Sequence, residues 1–273
     1  MNRLGRRAGG YTIIEVIIVL TVSSLLFAAT VVGFSQQNRR TQFTDSVNNF
    51  TQDVQDVLND VETGVYPSNN GFKCSANASG GSPTITTNSA TNVEQGKNTD
   101  CIFVGKAIQF APQGTDSSAV DIYTLIGRRL IGGGTDPVAN IKDAKPVGLN
   151  NLSDRKTLTS EVQISSVKTK SGTPLAGLAM VSTSGSGSIG TGLNARTSLA
   201  AIQGSLNENK SLFFLRIQFF LGGSFGVDPV ELAKDGIDIC LKEGGVGGRT
   251  AIVELAPGES QIIVNTYIDK PCS

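Results

Sequence analysis

Tyr11 to Phe34 (YTIIEVIIVLTVSSLLFAATVVGF) is a run of 24 residues with a single charge, Glu15, and almost no other polarity. At about 1.5 Å per residue it makes a helix of roughly 36 Å, enough to cross a hydrocarbon layer of about 30 Å. No polar stripe interrupts it, so as a helix it is apolar on every side and needs lipid or other apolar rods around it. Before it stands a short leader, MNRLGRRAGG, with Arg3, Arg6 and Arg7 and no acid. Basic flanks stay on the cytoplasmic side, so the long polar remainder is expected outside.

Glu15 is the anomaly. A carboxylate inside an apolar membrane helix costs about 2.5–3.5 kcal/mol on insertion scales, so it is expected to have a partner or a function. Gly9-Gly10 is the one flexible, side-chain-free junction between leader and rod. A cut after Gly10 gives Tyr11 a free amine four residues before Glu15. Amine and carboxylate then share one helix face or pair between neighbouring rods. A secretory signal has its cleavage site after the apolar region; here it comes before, and the rod survives.

Gly10, Tyr11, Thr12, Ile13, Ile14 and Glu15 follow the order glycine, bulky residue, threonine, two aliphatics, glutamate. In this stretch the chain resembles the type IV pilin family, including the pseudopilins. The resemblance covers roughly the first 35 residues. It implies cleavage between Gly10 and Tyr11 by a prepilin peptidase, N-methylation of Tyr11, and a role for Glu15 in recruiting the subunit into a helical fibre. The partners it implies are other pilin subunits, the peptidase, the inner-membrane assembly machinery and, before assembly, the lipid bilayer. Tyr11 stands where phenylalanine is commoner, and Val31 and Val32 occupy a region where many pilins carry proline. That leaves either a straighter rod or a kink near Ser23 and Ser24.

Of the 273 residues, about 240 lie beyond the rod, ample for a packed core. Charged residues make up 17%, below the roughly 25% of an average soluble chain. Glycine, serine, threonine and asparagine fill the difference, which suits an exported, loop-rich β domain. The net charge is zero, so no overall field draws nucleic acid, which stays open as a partner only for a minor pilin. Arg39-Arg40 and Arg128-Arg129 are expected on the solvated surface. The chain has no histidine, which excludes histidine-based nucleophilic triads and histidine-ligated zinc. Asp228, Glu231, Asp235 and Asp238 form the densest acidic cluster. Their spacing does not fit a calcium-binding EF-hand loop, and a solvated surface is the expectation. No metal and no cofactor is expected.

Four cysteines, Cys74, Cys101, Cys240 and Cys272, form no CxxC pair. An even number in an exported chain points to disulfides, with three connectivities open. Proximity in sequence favours Cys74–Cys101 and Cys240–Cys272.

Beyond the rod, Phe43, Val47, Phe50, Val54, Val57 and Val61 recur at spacings of 4, 3, 4, 3 and 4. That is one stripe of an amphipathic helix. With no proline before Pro67, one helix is expected from about Tyr11 to Glu62. Residues 64–100 read as a long loop holding at most a short strand. Strands are expected at 101–112, 119–131, 157–169 and 175–183, with loops at 132–154 and 184–192. A further strand is expected at 211–221, with Phe213, Leu215, Ile217 and Phe219 inward. A β-meander over 236–243, 248–256 and 260–269 closes the chain.

The expected fold is α+β: a long N-terminal helix, membrane-spanning in its first half and packed by its second half on a C-terminal antiparallel sheet. The expected divisions are a leader at 1–10, removed by processing, the rod at 11–34, its amphipathic continuation at 35–63, and a β-rich extracytoplasmic domain at 64–273. The expected function is that of a filament subunit, not an enzyme. Major pilin, minor pilin and pseudopilin of a secretion or DNA-uptake system remain alternatives. The rival from another class is a membrane-anchored enzyme with a Ser-Lys or carboxylate site, which requires activity without dependence on Glu15.

Overall fold

A computed structural model describes residues 11–64, 72–75, 83–87, 101–111, 117–130, 144–148, 153–159, 162–182, 197–203, 235–244, 248–257 and 262–272. The fold is α+β. One helix, α1 (Ile13–Thr63), precedes strands that pair antiparallel throughout. The chain divides into two compact units, residues 1–45 and 46–273.

In the first unit α1 continues unbroken through Ser23 and Ser24. Its side chains from Ile13 to Val31 are exposed all round. The stripe continues in the second unit as buried Val47, Phe50, Val54, Val57, Leu58 and Val61, alternating with exposed Asn48, Gln52, Gln55 and Asp56. A period of 3.6 residues places those apolar groups on one side. Gly64, at φ 66°, follows the last turn, the position where a left-handed residue ends a helix.

Two short strands, β1 (Phe72–Ser75) and β2 (Thr84–Thr87), pair within the segment expected to be loop. The largest sheet has the order β5-β4-β3-β8-β9, from β3 (Cys101–Phe110), β4 (Ala119–Arg128), β5 (Val147–Gly148), β8 (Leu175–Ser182) and β9 (Thr197–Gln203). The short β6 (Asp154–Thr157) also pairs with β4. A four-stranded sheet has the order β12-β11-β10-β7, from β7 (Val162–Thr169), β10 (Ile237–Glu243), β11 (Thr250–Pro257) and β12 (Ile262–Ile268). The closing meander is therefore present, with β7 added beside β10.

Every residue of β4 and β8 is buried. Near-continuous apolar runs such as LAGLAMVS belong in strands covered on both faces. One face carries Ala107, Tyr123, Leu125, Ala179, Val181, Ala200 and Ile202, packed with Val104 and Ala144. Polar groups are also buried on this face. Asp121 accepts from Arg155 Nε at 2.7 Å and Nη2 at 3.1 Å, and from the Tyr123 hydroxyl at 3.0 Å. Burial, and then the Asp121 charge, push the Tyr123 phenol far above its ordinary range. Arg155 thus pins β6 to β4 by a bidentate pair.

Within the second unit, hydrogen bonds and ion pairs run from residues of α1 to residues on or beside the strands. Ser46 Oγ donates to the Thr159 carbonyl at 2.8 Å, and the Thr51 and Thr266 hydroxyls meet at 2.9 Å. Asp60 pairs with Lys106 of β3, and Asp53 lies 3.7 Å from Lys156 of β6.

Three expectations need correction. Arg128 is buried, at 4% exposure, while Arg129 is exposed; neighbours in an extended chain point to opposite sides, so a surface pair cannot persist in a strand. The expected strand over 157–169 begins later, as β7 at Val162, and the short β6 (Asp154–Thr157) before it was not foreseen. Finally, β9 was not foreseen, and the expected loop at 132–154 contains β5. The expected strand at 211–221, the tip at 184–192, and Asp228 and Glu231 lie outside the described residues.

The β3 register shifts between Phe103 and Gly105. A Cβ on Gly105 would collide with the Met180 carbonyl oxygen and stand 2.9 Å from Val181 Cα. Gly105→Ala is expected to lower the stability of the full chain in detergent by about 2–3 kcal/mol. Gly172→Ala, at φ 91° with nothing within 4 Å, should cost only about 1 kcal/mol. Urea midpoints for the two variants check the difference.

Candidate membrane-spanning segment and C-terminal clasp

The rod begins with its own cap. Tyr11 and Thr12 precede the first helical residue, Ile13. The Glu15 amide donates to Thr12 Oγ1 at 3.3 Å, and the Val16 amide to the Thr12 carbonyl at 3.2 Å. Thr-x-x-Glu is the spacing of a capping box, in which the hydroxyl satisfies an amide that the helix leaves free. A carboxylate in the first turn also suits the positive end of the helix dipole. Part of the reason for Glu15 is therefore local. The signal, Thr12 three residues ahead of Glu15, was in the sequence, and the reading of Thr12 as a cap was missed. In the chain that still carries residues 1–10, Tyr11 stands two residues before the first helical residue.

From Ile13 to Val31 the helix has a mean hydropathy of 2.3 over 19 residues, and none of this window is buried within the chain. Its length, about 28 Å, matches a hydrocarbon layer of about 30 Å. Among the described residues, this N-terminal helix is the one long and apolar enough to cross a membrane. Such a segment must satisfy its polar groups internally. Thr21 Oγ1 donates to the Ile17 and Ile18 carbonyls at 3.0 and 2.9 Å. Ser24 Oγ donates to Leu20 O at 2.7 Å, and Thr30 Oγ1 to Phe27 O at 2.7 Å. These three hydroxyls bond back onto the helix that carries them. Glu15, exposed in the first turn, is the one charge of this window.

At the other end of the chain Cys240 and Cys272 form a disulfide, 32 residues apart with Cα atoms 5.8 Å apart. Cys240 is on the inner strand β10 and Cys272 follows the edge strand β12. To meet, the tail crosses β11. Asp269 N donates to the Thr250 carbonyl at 2.8 Å, and Thr250 Oγ1 to the Lys270 carbonyl at 2.8 Å. Nearby, Lys170 Nζ lies 3.1 Å from Asp238 and 2.8 Å from Glu254. Its hydrogen bond holds the Glu254 carboxyl below the usual range, and Glu254 in turn raises the Tyr267 phenol. Lys270 lies 4.4 Å from the Tyr267 ring centroid. Asp238 is thus engaged by a lysine, and Asp235 is exposed. Among the described residues no three of His, Cys, Asp or Glu are placed to hold a metal ion. Gly10 and the side chains of Cys74 and Cys101 lie outside the described residues.

No family model, curated protein or solved structure matches this chain.

A bridge closing a loop of this length contributes up to about 3–4 kcal/mol in the chain-entropy picture. Cys272→Ser is expected to lower the denaturation midpoint of the oxidised full chain by a corresponding amount. It should leave the midpoint of the chain reduced in advance nearly unchanged. Equal midpoints for the oxidised variant and oxidised parent would contradict this.

Proposed function

We propose that this chain is a structural subunit of a type IV pilus or a related filament. The observation that carries the reading is a capped rod, apolar on all sides and covered by nothing in its own chain, with one acid in its first turn. In this reading the subunit first sits in the cytoplasmic membrane as a single-pass protein, with its β domain outside. A prepilin peptidase removes residues 1–10 by cutting between Gly10 and Tyr11, and Tyr11 is N-methylated. The rod then moves from lipid into a helical bundle of rods at the core of the filament. The second half of the helix stays packed on the β sheets, and the bonds at Ser46, Thr51 and Asp60 support that packing.

Both surroundings of the rod are apolar, so the hydrophobic effect contributes little to the transfer. Side-chain packing and the charge on Glu15 decide it. Its partner is the amine of Tyr11 on a neighbouring subunit. Methylation leaves that amine charged and keeps the pair. Thr12 contributes by fixing the first turn, which holds Glu15 at the amino end of the rod. The disulfide at Cys240–Cys272 suits a β domain that works outside the cytoplasm.

Glu15→Ala tests the pairing. The variant is expected to accumulate in the membrane fraction at the parental level. Its yield in sheared surface filaments should fall about tenfold or more, the effect of one charge-assisted contact of about 1.5–3 kcal/mol. Filaments at parental yield would contradict the proposal.

A further inference from the structure

Between the end of the apolar run and the first buried residue, α1 carries an exposed polar collar. Phe34 is 67% exposed and closes the apolar surface, and Phe43 is the first buried position. Between them Gln37, Asn38, Arg39, Arg40, Thr41 and Gln42 are all exposed. No acidic residue occurs between Glu15 and Asp45, so the two arginines dominate the charge of this stretch.

We propose that Arg39 and Arg40 form a binding collar for the phosphate groups of anionic phospholipids, on the bilayer face reached by the carboxyl end of the span. The inference rests on the reading that Ile13–Val31 crosses a lipid bilayer. Arg39 and Arg40 lie five and six residues beyond Phe34, about 8–9 Å along the axis. The headgroup layer on each side of a bilayer is about 5–8 Å thick. Helical side chains lean toward the amino end of their helix, which here is the direction of the membrane. Long arginine stems can therefore lie along the apolar surface while the guanidinium heads reach back into the headgroup layer. A guanidinium presents a planar fork that matches phosphate, and it sheds water more readily than an ammonium. The collar fixes how deep the rod sits and lets it slide no further toward the leader side. Three leader arginines, Arg3, Arg6 and Arg7, outnumber the two collar arginines, so the expected orientation is preserved.

The test uses the full chain reconstituted in phosphatidylcholine vesicles that contain a minority of phosphatidylglycerol. Alkaline carbonate extraction first reports whether the chain is embedded. Spin-labelled lipids then report which headgroup is enriched beside the protein. The expected result is an embedded chain with about a fivefold preference for phosphatidylglycerol at low salt. The preference should weaken as salt screens the charges. It should fall by at least about half in Arg39→Gln/Arg40→Gln and persist in Arg39→Lys/Arg40→Lys, which keeps the charge. An embedded chain with no preference overturns the collar alone. So does a preference that survives Arg39→Gln/Arg40→Gln and disappears in Arg3→Gln/Arg6→Gln/Arg7→Gln, which places it in the leader. Release by carbonate overturns the bilayer-spanning reading itself, and the collar with it.

Discussion

An apolar helix surface that its own chain leaves bare must be covered by something else. From Ile13 to Phe34, thirteen large apolar side chains are exposed. At roughly 1.5–3 kcal/mol each, their exposure to water costs on the order of 20–40 kcal/mol. That exceeds the 5–15 kcal/mol by which a typical domain is stable. Covering that surface, with lipid or with copies of itself, is therefore strongly favoured. The hydroxyls of Thr21, Ser24 and Thr30 bond to their own helix, which fits a segment designed for surroundings without water. Glu15 does not fit such surroundings by itself, and this is why it draws the proposal toward a charged partner.

The second unit needs no such cover. Its sheets bury β4 and β8 completely, and one of its buried charges, Asp121, is matched by two bonds from Arg155. Removing one partner of a buried pair is far costlier than having neither, so this network fixes the pairing of β6 with β4 more than it adds stability. The disulfide ties the tail that follows the edge strand β12 back to the inner strand β10. An edge strand exposes unpaired backbone groups and is the first to fray, so a covalent tie near it does the most.

Much of this was legible in the residues because their spacing is dictated by geometry. The 4-3-4-3-4 recurrence from Phe43 to Val61 has one solution, an amphipathic helix, and those side chains are buried. The alternation of Ile237, Ile239 and Leu241 likewise placed all three inward. Pairing of Cys240 with Cys272 was readable from proximity, since β10 to β12 is a local meander. What escaped the reading was set by tertiary context. TSLAAIQ is rich in small residues and has no clean alternation, so β9 carried no signal; it is a strand because β8 offers it an edge. Arg128 looked like surface beside Arg129, yet one face of a strand must point inward. Phe72–Ser75 and Thr84–Thr87 were too short and polar to announce a hairpin by pattern. At the amino end Glu15 was conspicuous by its charge, whereas the capping role of Thr12 was hidden in a familiar-looking motif.

In the proposed filament subunit, the acid in the first turn of the rod, Glu15, pairs with a positive chain end that processing exposes in front of the rod. Mass analysis of the amino terminus of the protein isolated from its native membrane tests this most directly. The account predicts a chain that begins at Tyr11 and carries one added methyl group on its amine. A chain that begins at Met1, with the ten preceding residues intact in the working protein, would contradict it.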